Sequence, residues 1–366
     1  MFFATVLPGQ VLIDMEKIIF QRPAGFYETL KKRVNGYFEN RPARDHWFLY
    51  AKAALIFTWA VGSYIALVFF VDSWWSALLL VLSLSFAFSA IGFNIQHDGG
   101  HESFSRSKAV NRIMAFTLDL IGGSSVFWRQ KHNIQHHTYT NINGMDEDIY
   151  DGSMFRLSPE QPLRPIHRFQ HFYTFALYAF LSLKWVFFDD WKQLILIKMG
   201  KRAAPTVSGS QLALFVAGKA FHLSYTVILP LVFHPVLYVV LFNLIFHFVL
   251  GLTLALVFQM AHATGEAAFP VPREDGVIEN EWAVHQVETT SNFAMNNPVV
   301  GWFTGGLNFQ IEHHLFPRIS HVHYRSLSKI VQQTCAEYGV KYYAYPGVIA
   351  GFLAHYRWLR SMGQQA

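Results

Sequence analysis

The sequence predicts an all-α integral-membrane protein: four transmembrane helices in two hairpins beneath a cytoplasmic helical cap that holds a di-metal site. Three observations carry that expectation. Of 366 residues, 52% are hydrophobic and only 14% charged, against roughly 25% charged in soluble domains, and the mean hydropathy is +0.22. Four apolar stretches are long enough to cross a hydrocarbon core of about 30 Å, which takes roughly 20 helical residues. Eighteen histidines occur, many of them clustered beside those stretches.

The spans are read as Phe48–Val71, Ser73–Asn94, Gln211–Phe233 and Pro235–Met260. Asp72 separates the first two and His234-Pro235 turns the chain between the last two. All but two of the 29 Lys and Arg lie in the tails and the middle segment, so both termini and the middle segment are expected in the cytoplasm. Lys52 and Lys219 fall inside spans and are expected to snorkel to the interface. The stretches His171–Phe188 and Ile113–Phe127 read as interfacial helices. The chain divides into a lead-in (1–47), a first hairpin (48–96), a cytoplasmic middle segment (97–210), a second hairpin (211–262) and a C-terminal segment (263–366).

The net charge of +5 is broken up by apolar runs, so an anionic bilayer surface is the expected partner and no nucleic acid is. One cysteine, Cys335, excludes an internal disulfide framework and suits a reducing compartment. Met1–Phe20 lacks the basic start of a cleaved signal peptide. Neither an internal repeat nor a low-complexity tract occurs.

Three histidine boxes carry the chemistry. His97 and His101 are four residues apart, which places them on one helix face. Gly99 and Gly100 between them suit a turn against which another backbone packs closely. His132 and His136 repeat the spacing, and His137 points about 100° away, so this box can address two ions or one ion from two sides. Gln310 shares a face with His313 and His314, and His262 stands just beyond the fourth span. A lone histidine on an apolar face is usually a satisfied core residue, the reading taken for His46, His222, His234, His247 and His355, and favoured for His285, His321 and His323. Seven histidines in three spaced boxes at one membrane face resist that reading, because each is costly to bury. Imidazole does not name the metal, but eight candidate rings exceed what one ion holds. Asp98, Glu102, Asp146, Glu147, Asp148 and Glu312 are candidates to orient the rings.

His97-Asp98-Gly99-Gly100-His101, Trp128-Arg129 leading to His132–His137, Gln286–Phe293 and Phe309–Pro317 together resemble the membrane fatty acid desaturases, in particular bacterial acyl-CoA or acyl-lipid enzymes similar to the front-end type. The resemblance covers nearly the whole chain after residue 20. It implies two iron ions, molecular oxygen as co-substrate, no haem or flavin, and a location in the bacterial inner membrane. The ligands it implies are His97, His101, His132, His136, His137, His262, His313 and His314, with Gln310 at a further ligand position. It also implies an apolar acyl tunnel. Front-end enzymes often carry a fused cytochrome b5 with a His-Pro-Gly-Gly motif. That motif does not occur here, so electrons are expected from a separate ferredoxin, cytochrome b5 or reductase. Arg129, Lys131 and Arg156 are candidates to clamp a substrate headgroup. Rival readings are a hydroxylase, acetylenase or epoxidase on the same scaffold, a membrane zinc hydrolase, and a metal or haem carrier.

Overall fold

The computed structural model describes residues 18–364, apart from 23, 150–153, 197, 200, 201, 204 and 205. The signal-peptide reading therefore falls almost wholly outside the described residues, as does the start of the lead-in. Four helices are long and apolar enough to cross a membrane: α2 (Trp47–Phe69), α3 (Trp74–Gly100), α8 (Gly209–Phe233) and α9 (Val236–His262). They follow α1 (Phe26–Tyr37) and enclose α4 (Lys108–Ile121), α5 (125–139), α6 (Gln170–Ala179) and α7 (181–196). The C-terminal segment adds α10 (Trp282–Glu288), α11 (Pro298–Phe303), α12 (Gln310–Leu315), α13 (Tyr324–Tyr338) and α14 (Val348–Met362).

Each hairpin is set by local chemistry. Ser73 caps α3 in a reciprocal box with Ser76, satisfying donors that the first helical turn leaves open. Pro235 precedes α9 and stops α8 two residues earlier. The bundle core joins Leu49, Ile56 and Ala60 of α2 to Val81, Leu84 and Ala87 of α3 and Phe246, Leu250 and Leu254 of α9.

α3 does not stop at Asn94. It passes through a π turn at Gly92–Gln96 and continues to Gly100, so the first box is its last turn. Asn94 makes this possible: its buried amide donates to the carbonyls of Ala90 and Phe303, both at 2.9 Å. The Phe303 segment comes this close because of Gly305, where a Cβ would lie 2.4 Å from the Phe93 carbonyl oxygen. α9 likewise runs on to His262.

Neither spanning lysine snorkels. Lys52 is buried, with Nζ 3.1 Å from His321 Nε2 and over the Trp302 ring. Lys219 donates to Asp190 Oδ2 at 2.6 Å and to the carbonyls of Gly122 and Trp185 at 2.6 and 2.8 Å. The cap folds down to supply partners within reach of both side chains, so no path to water is needed.

The stretch read as one interfacial helix breaks at Phe180 into α6 and α7, the latter containing a π turn at Trp185–Asp189. It packs lengthwise on α9. A Cβ at Gly251 would sit 2.6 Å from the Ala179 carbonyl oxygen, and Ser182 Oγ lies 3.0 Å from His247 Nδ1. The second stretch ends as α4, closed by Gly122 at φ +104°. Above the bundle, α1 and α13 close a smaller core of Phe26, Leu30, Val34, Leu327, Val331 and Cys335.

Candidate metal centre

The first box packs as its glycines anticipate. A Cβ on Gly99 would lie 2.6 Å from the Ala115 backbone nitrogen, so α4 crosses there in backbone contact. At Gly100 the close neighbour is a side chain instead: a Cβ would lie 2.3 Å from the Trp128 ring. That indole stacks on His132, with ring centroids 4.5 Å apart. Small residues in box one thus set the distance to box two.

Box two is a π helix over Arg129–His136, a wide turn found frequently at functional sites. Along it His132 stacks on His136, with ring centroids 5.2 Å apart, and His137 returns to within 3.3 Å of His132, Nε2 to Nε2. His97 Nε2 approaches His132 Nε2 equally closely, at 3.3 Å. Overlapping groups result, each with ligand atoms within 4.8 Å of one another: His97, His101, His132 and His313 in one, His136, His262 and His314 in another, and His132, His136 and Asp148 bridging the two. His137 forms a further group with His313 and His314, and so lies between the first two. All eight rings are buried. His321 and His323 stay outside. His321 Nδ1 lies 2.8 Å from Asp98 Oδ2, and His323 Nε2 lies 3.0 Å from the Pro42 carbonyl oxygen. His285 is buried too but joins none of these groups.

Behind the rings stand hydrogen-bonding partners. Asp146 meets His136 Nδ1 at 3.0 Å, while Asp148 lies 3.5 Å from the same nitrogen and 2.9 Å from Lys131 Nζ. Gln286 Oε1 accepts from His314 Nδ1 at 2.8 Å and from Thr140 Oγ1 at 3.0 Å. Tyr324 OH lies 3.2 Å from His313 Nδ1. Glu147 lines a cavity beside His132 and His136, and the remaining acidic candidates point elsewhere. Asp98 faces His321, Glu312 accepts from Asn292 and Tyr342, and Glu102 closes the box-one turn at φ +59°. Gln310 is buried with neither amide atom partnered. Gln286 was visible only as part of a motif, and Tyr324 carried no sequence signal at all.

Electrostatics sharpen the picture. Burial, reinforced by neighbouring rings, holds His101, His137, His313 and His314 well below the ordinary imidazole range, and burial brings His132 down to about 4. His136, although burial lowers it too, is kept above its ordinary value by Asp146 and Asp148. Asp148, although burial opposes its ionisation, is held well below the carboxylate range by Lys131 and His136. Burial pushes Glu312 up to about 7. Buried nitrogens of His101, His262, His313 and His314 have no protein partner, an expensive condition unless a cation takes their lone pairs. Neutral rings backed by hydrogen-bonded oxygens are the donor set of a metal site.

The pattern defining the family described as Fatty acid desaturase matches residues 72–346. The chain belongs to the fatty acid desaturase family. The desaturase is 38% identical over 349 residues to a sn-1 linoleoyl-lipid 6-desaturase of Arthrospira platensis, covering 94% of this chain and 95% of that one. It is 37% identical to a Synechocystis protein of the same name, covering 96% and 99%. With an acyl-lipid (8-3)-desaturase of Physcomitrium patens the identity is 35%, over 92% and 72% of the two chains. Its activity is that of a fatty acyl desaturase, an oxidoreductase.

A cavity of ≈ 470 Å³ reaches the desaturase's histidines, with His132, His136 and His262 in its wall. Trp128, Phe155, Tyr178, Trp185 and Phe258 give it an aromatic wall, and its charged lining is Lys131, Lys184 and Lys192 with Glu147, Asp148, Asp189 and Asp190. Lys184 lies 3.7 Å from Asp189. Of the expected headgroup clamp, only Lys131 lines the cavity. Arg156 instead donates to carbonyls of Pro159, Gln161 and Met362, tying the cap together, and Arg129 is exposed on the surface.

Proposed function

We propose that the desaturase inserts a double bond into an acyl chain of a membrane lipid, with two iron ions held by the buried rings and molecular oxygen as co-substrate. The observation that carries this reading is the aromatic cavity with His132, His136 and His262 in its wall. The proposed ligands are His97, His101, His132 and His313 for one ion, His136, His262 and His314 for the other, and His137 between them. Gln310, buried with both amide atoms unpartnered, is a further proposed ligand position.

Iron supplies, when bound, the one-electron and oxygen chemistry that side chains lack. The chain's own residues do the rest. Asp146, Gln286 and Tyr324 hold Nδ1 of their rings, which turns Nε2 inward. Trp128 and Phe258 flank the cavity beside His132, excluding water and aligning an extended chain so that two neighbouring methylenes face the rings. The cavity's lining sets Lys131, Lys184 and Lys192 against Glu147, Asp148, Asp189 and Asp190, so it carries no excess of positive charge. That suits an uncharged or zwitterionic lipid head better than the phosphates of CoA. The names of the cyanobacterial relatives, which are lipid desaturases, agree. Positive charge on the tails and middle segment supports a cytoplasmic site, served by a separate ferredoxin, cytochrome b5 or reductase.

The test is expression in a host without desaturases, with total fatty acids read by mass spectrometry beside a His136→Ala control. A product lighter than its parent by two hydrogens and absent from the control supports the reading. A product heavier by one oxygen reassigns the scaffold to hydroxylation or epoxidation. No new product after each donor class is supplied overturns it.

A further inference from the structure

We infer that the space between the two hairpins, at the end of the bundle remote from the histidines, is a binding site for one tail of a bilayer lipid with an uncharged or zwitterionic head. The site is separate from the histidine-lined cavity and stands whether or not that cavity takes the substrate.

A cavity of ≈ 270 Å³ opens there, walled by all four spanning helices: Val68 of α2, Val81 and Leu84 of α3, Thr226 of α8, and Val239 and Phe246 of α9. Its wall runs from Trp74 to Leu84 on α3 and from Pro235 to Phe246 on the α9 side, about 15 Å along each helix. That is half of a hydrocarbon core of about 30 Å, the depth that a tail of one leaflet occupies. The histidine-lined cavity begins further along α9, at Ala255. Between the two, Leu250 and Leu254 are packed into the bundle core.

A break in α8 builds the space. The helix winds as a π turn over Ser224–Ile228, and Pro230 has no N–H to give to the Thr226 carbonyl one turn back. Side chains of the facing helices satisfy the freed carbonyls. Asn243 Nδ2 of α9 donates to the Thr226 oxygen at 2.7 Å, and the Tyr64 hydroxyl of α2 donates to the Tyr225 oxygen. A break at membrane depth persists only where neighbouring groups repair it in this way. The polar atoms of the wall are thereby turned onto one another, and the surface left to a ligand is aliphatic and aromatic. Trp74 and Tyr238, each about half exposed, stand at the mouth, and such rings favour the boundary between hydrocarbon and water. Beside them Phe70, Val232, Val236 and Leu237 are exposed, so the hydrocarbon of the bilayer meets the opening. Asp72 lies at the mouth, and no Lys or Arg among the described residues lines the cavity. An anionic head therefore finds no cation there, whereas an uncharged or zwitterionic head needs none.

In the experiment the full chain is purified in detergent, washed free of lipid and equilibrated with micelles carrying palmitoyl-oleoyl phosphatidylcholine or the phosphatidylglycerol with the same tails. Retained lipid is counted by native mass spectrometry at rising collision energy, and melting temperature is read in parallel. Wild type keeps one phosphatidylcholine at energies that strip the rest, and its melting temperature climbs with lipid concentration, as for any ligand that binds only the folded state. Ala77→Phe on α3 and Val239→Phe on α9 fill the cavity from two walls. Each lowers the retained fraction by about tenfold, the scale on which an apolar pocket rejects an added methylene or two, and flattens the lipid-dependent rise. Metal content stays at the wild-type level in both. Leu55→Phe, on an exposed position of α2, is the control and keeps the lipid. Should phenylalanine prevent folding, Ala77→Leu and Val239→Leu give a smaller loss of the same sign. Equal retention in folded filled variants and in the control overturns the site, as does retention of phosphatidylglycerol without phosphatidylcholine. A wild type that holds a second copy of the chain in place of lipid, lost on filling, overturns it too. Product formation is assayed separately, so its failure bears on the desaturase reading and not on this site.

Discussion

Asp146 receives the Nδ1 face of His136 at 3.0 Å, with both side chains buried. The same carboxylate accepts the Asn141 and Asp148 backbone N–H groups, so it is held on three sides before it meets the ring. A carboxylate so placed fixes the His136 tautomer and strengthens Nε2 as a donor. It also ties box two to the loop that follows it.

Replacing Asp146 by Ala is expected to lower metal affinity about 10–100-fold, read as metal content after dialysis against a graded chelator. Asp146→Asn keeps the volume and should lose less. Equal metal retention in wild type and Asp146→Ala would show that the carboxylate has no part in orienting the ring.

Gly99 and Gly100 are expected to resist alanine for different reasons. At Gly99 the obstacle is the Ala115 backbone, at Gly100 the Trp128 ring. Each replacement should cost about 1–3 kcal/mol by overpacking, seen as a lower melting temperature in detergent. Gly100→Ala should be partly restored by Trp128→Phe, and Gly99→Ala should not. Gly36→Ala in α1, which meets nothing within 4 Å, is the control and should be neutral or stabilising by up to about 1 kcal/mol.

Asp119 gives the stability a pH dependence. Burial raises its carboxyl from 3.8 to about 6, against the hydrogen bonds from Ser125. Below pH 4 the group is protonated in folded and unfolded chains alike and contributes no penalty. As pH rises from about 4 to 6 the unfolded chain ionises first, so this contribution falls, by on the order of 2–3 kcal/mol in all. Asp119→Asn should remove that slope. Melting temperatures across the interval check it, and a slope identical to wild type would refute it.

Cys335 is buried between α1 and α13, and burial pushes its thiol up to about 12. Alkylation by iodoacetamide near neutral pH should therefore proceed only as the α1–α13 pair opens. Rapid labelling of the native protein, by intact mass, would contradict this packing.

Much of the site was legible in the sequence because its signals are periodic and costly. Twenty apolar residues in a row have few soluble explanations, and histidines spaced by four beside them have fewer. The structure brings His97, His101, His132, His136, His137, His262, His313 and His314 together in buried groups. Partners were far less legible, since hydrogen bonds across large separations leave no local trace. Asp98 neighbours two of the box histidines in sequence yet binds His321, 223 positions away. Tyr324 has nothing in its local sequence to mark it and reaches His313.

The sequence by itself determined the four spanning helices, their pairing in hairpins, the side to which charge is confined and the identity of the clustered rings, because hydrophobic length, charge bias and helical spacing are local quantities. Only the tertiary structure decided how the rings divide. His97 and His101 share one group, whereas His132 joins them and His136 joins His262 and His314, with Asp148 linking His132 to His136. It alone also decided that Lys52 and Lys219 are buried in place, since whether a charge finds water or a partner depends on what the rest of the chain brings within about 3 Å of it.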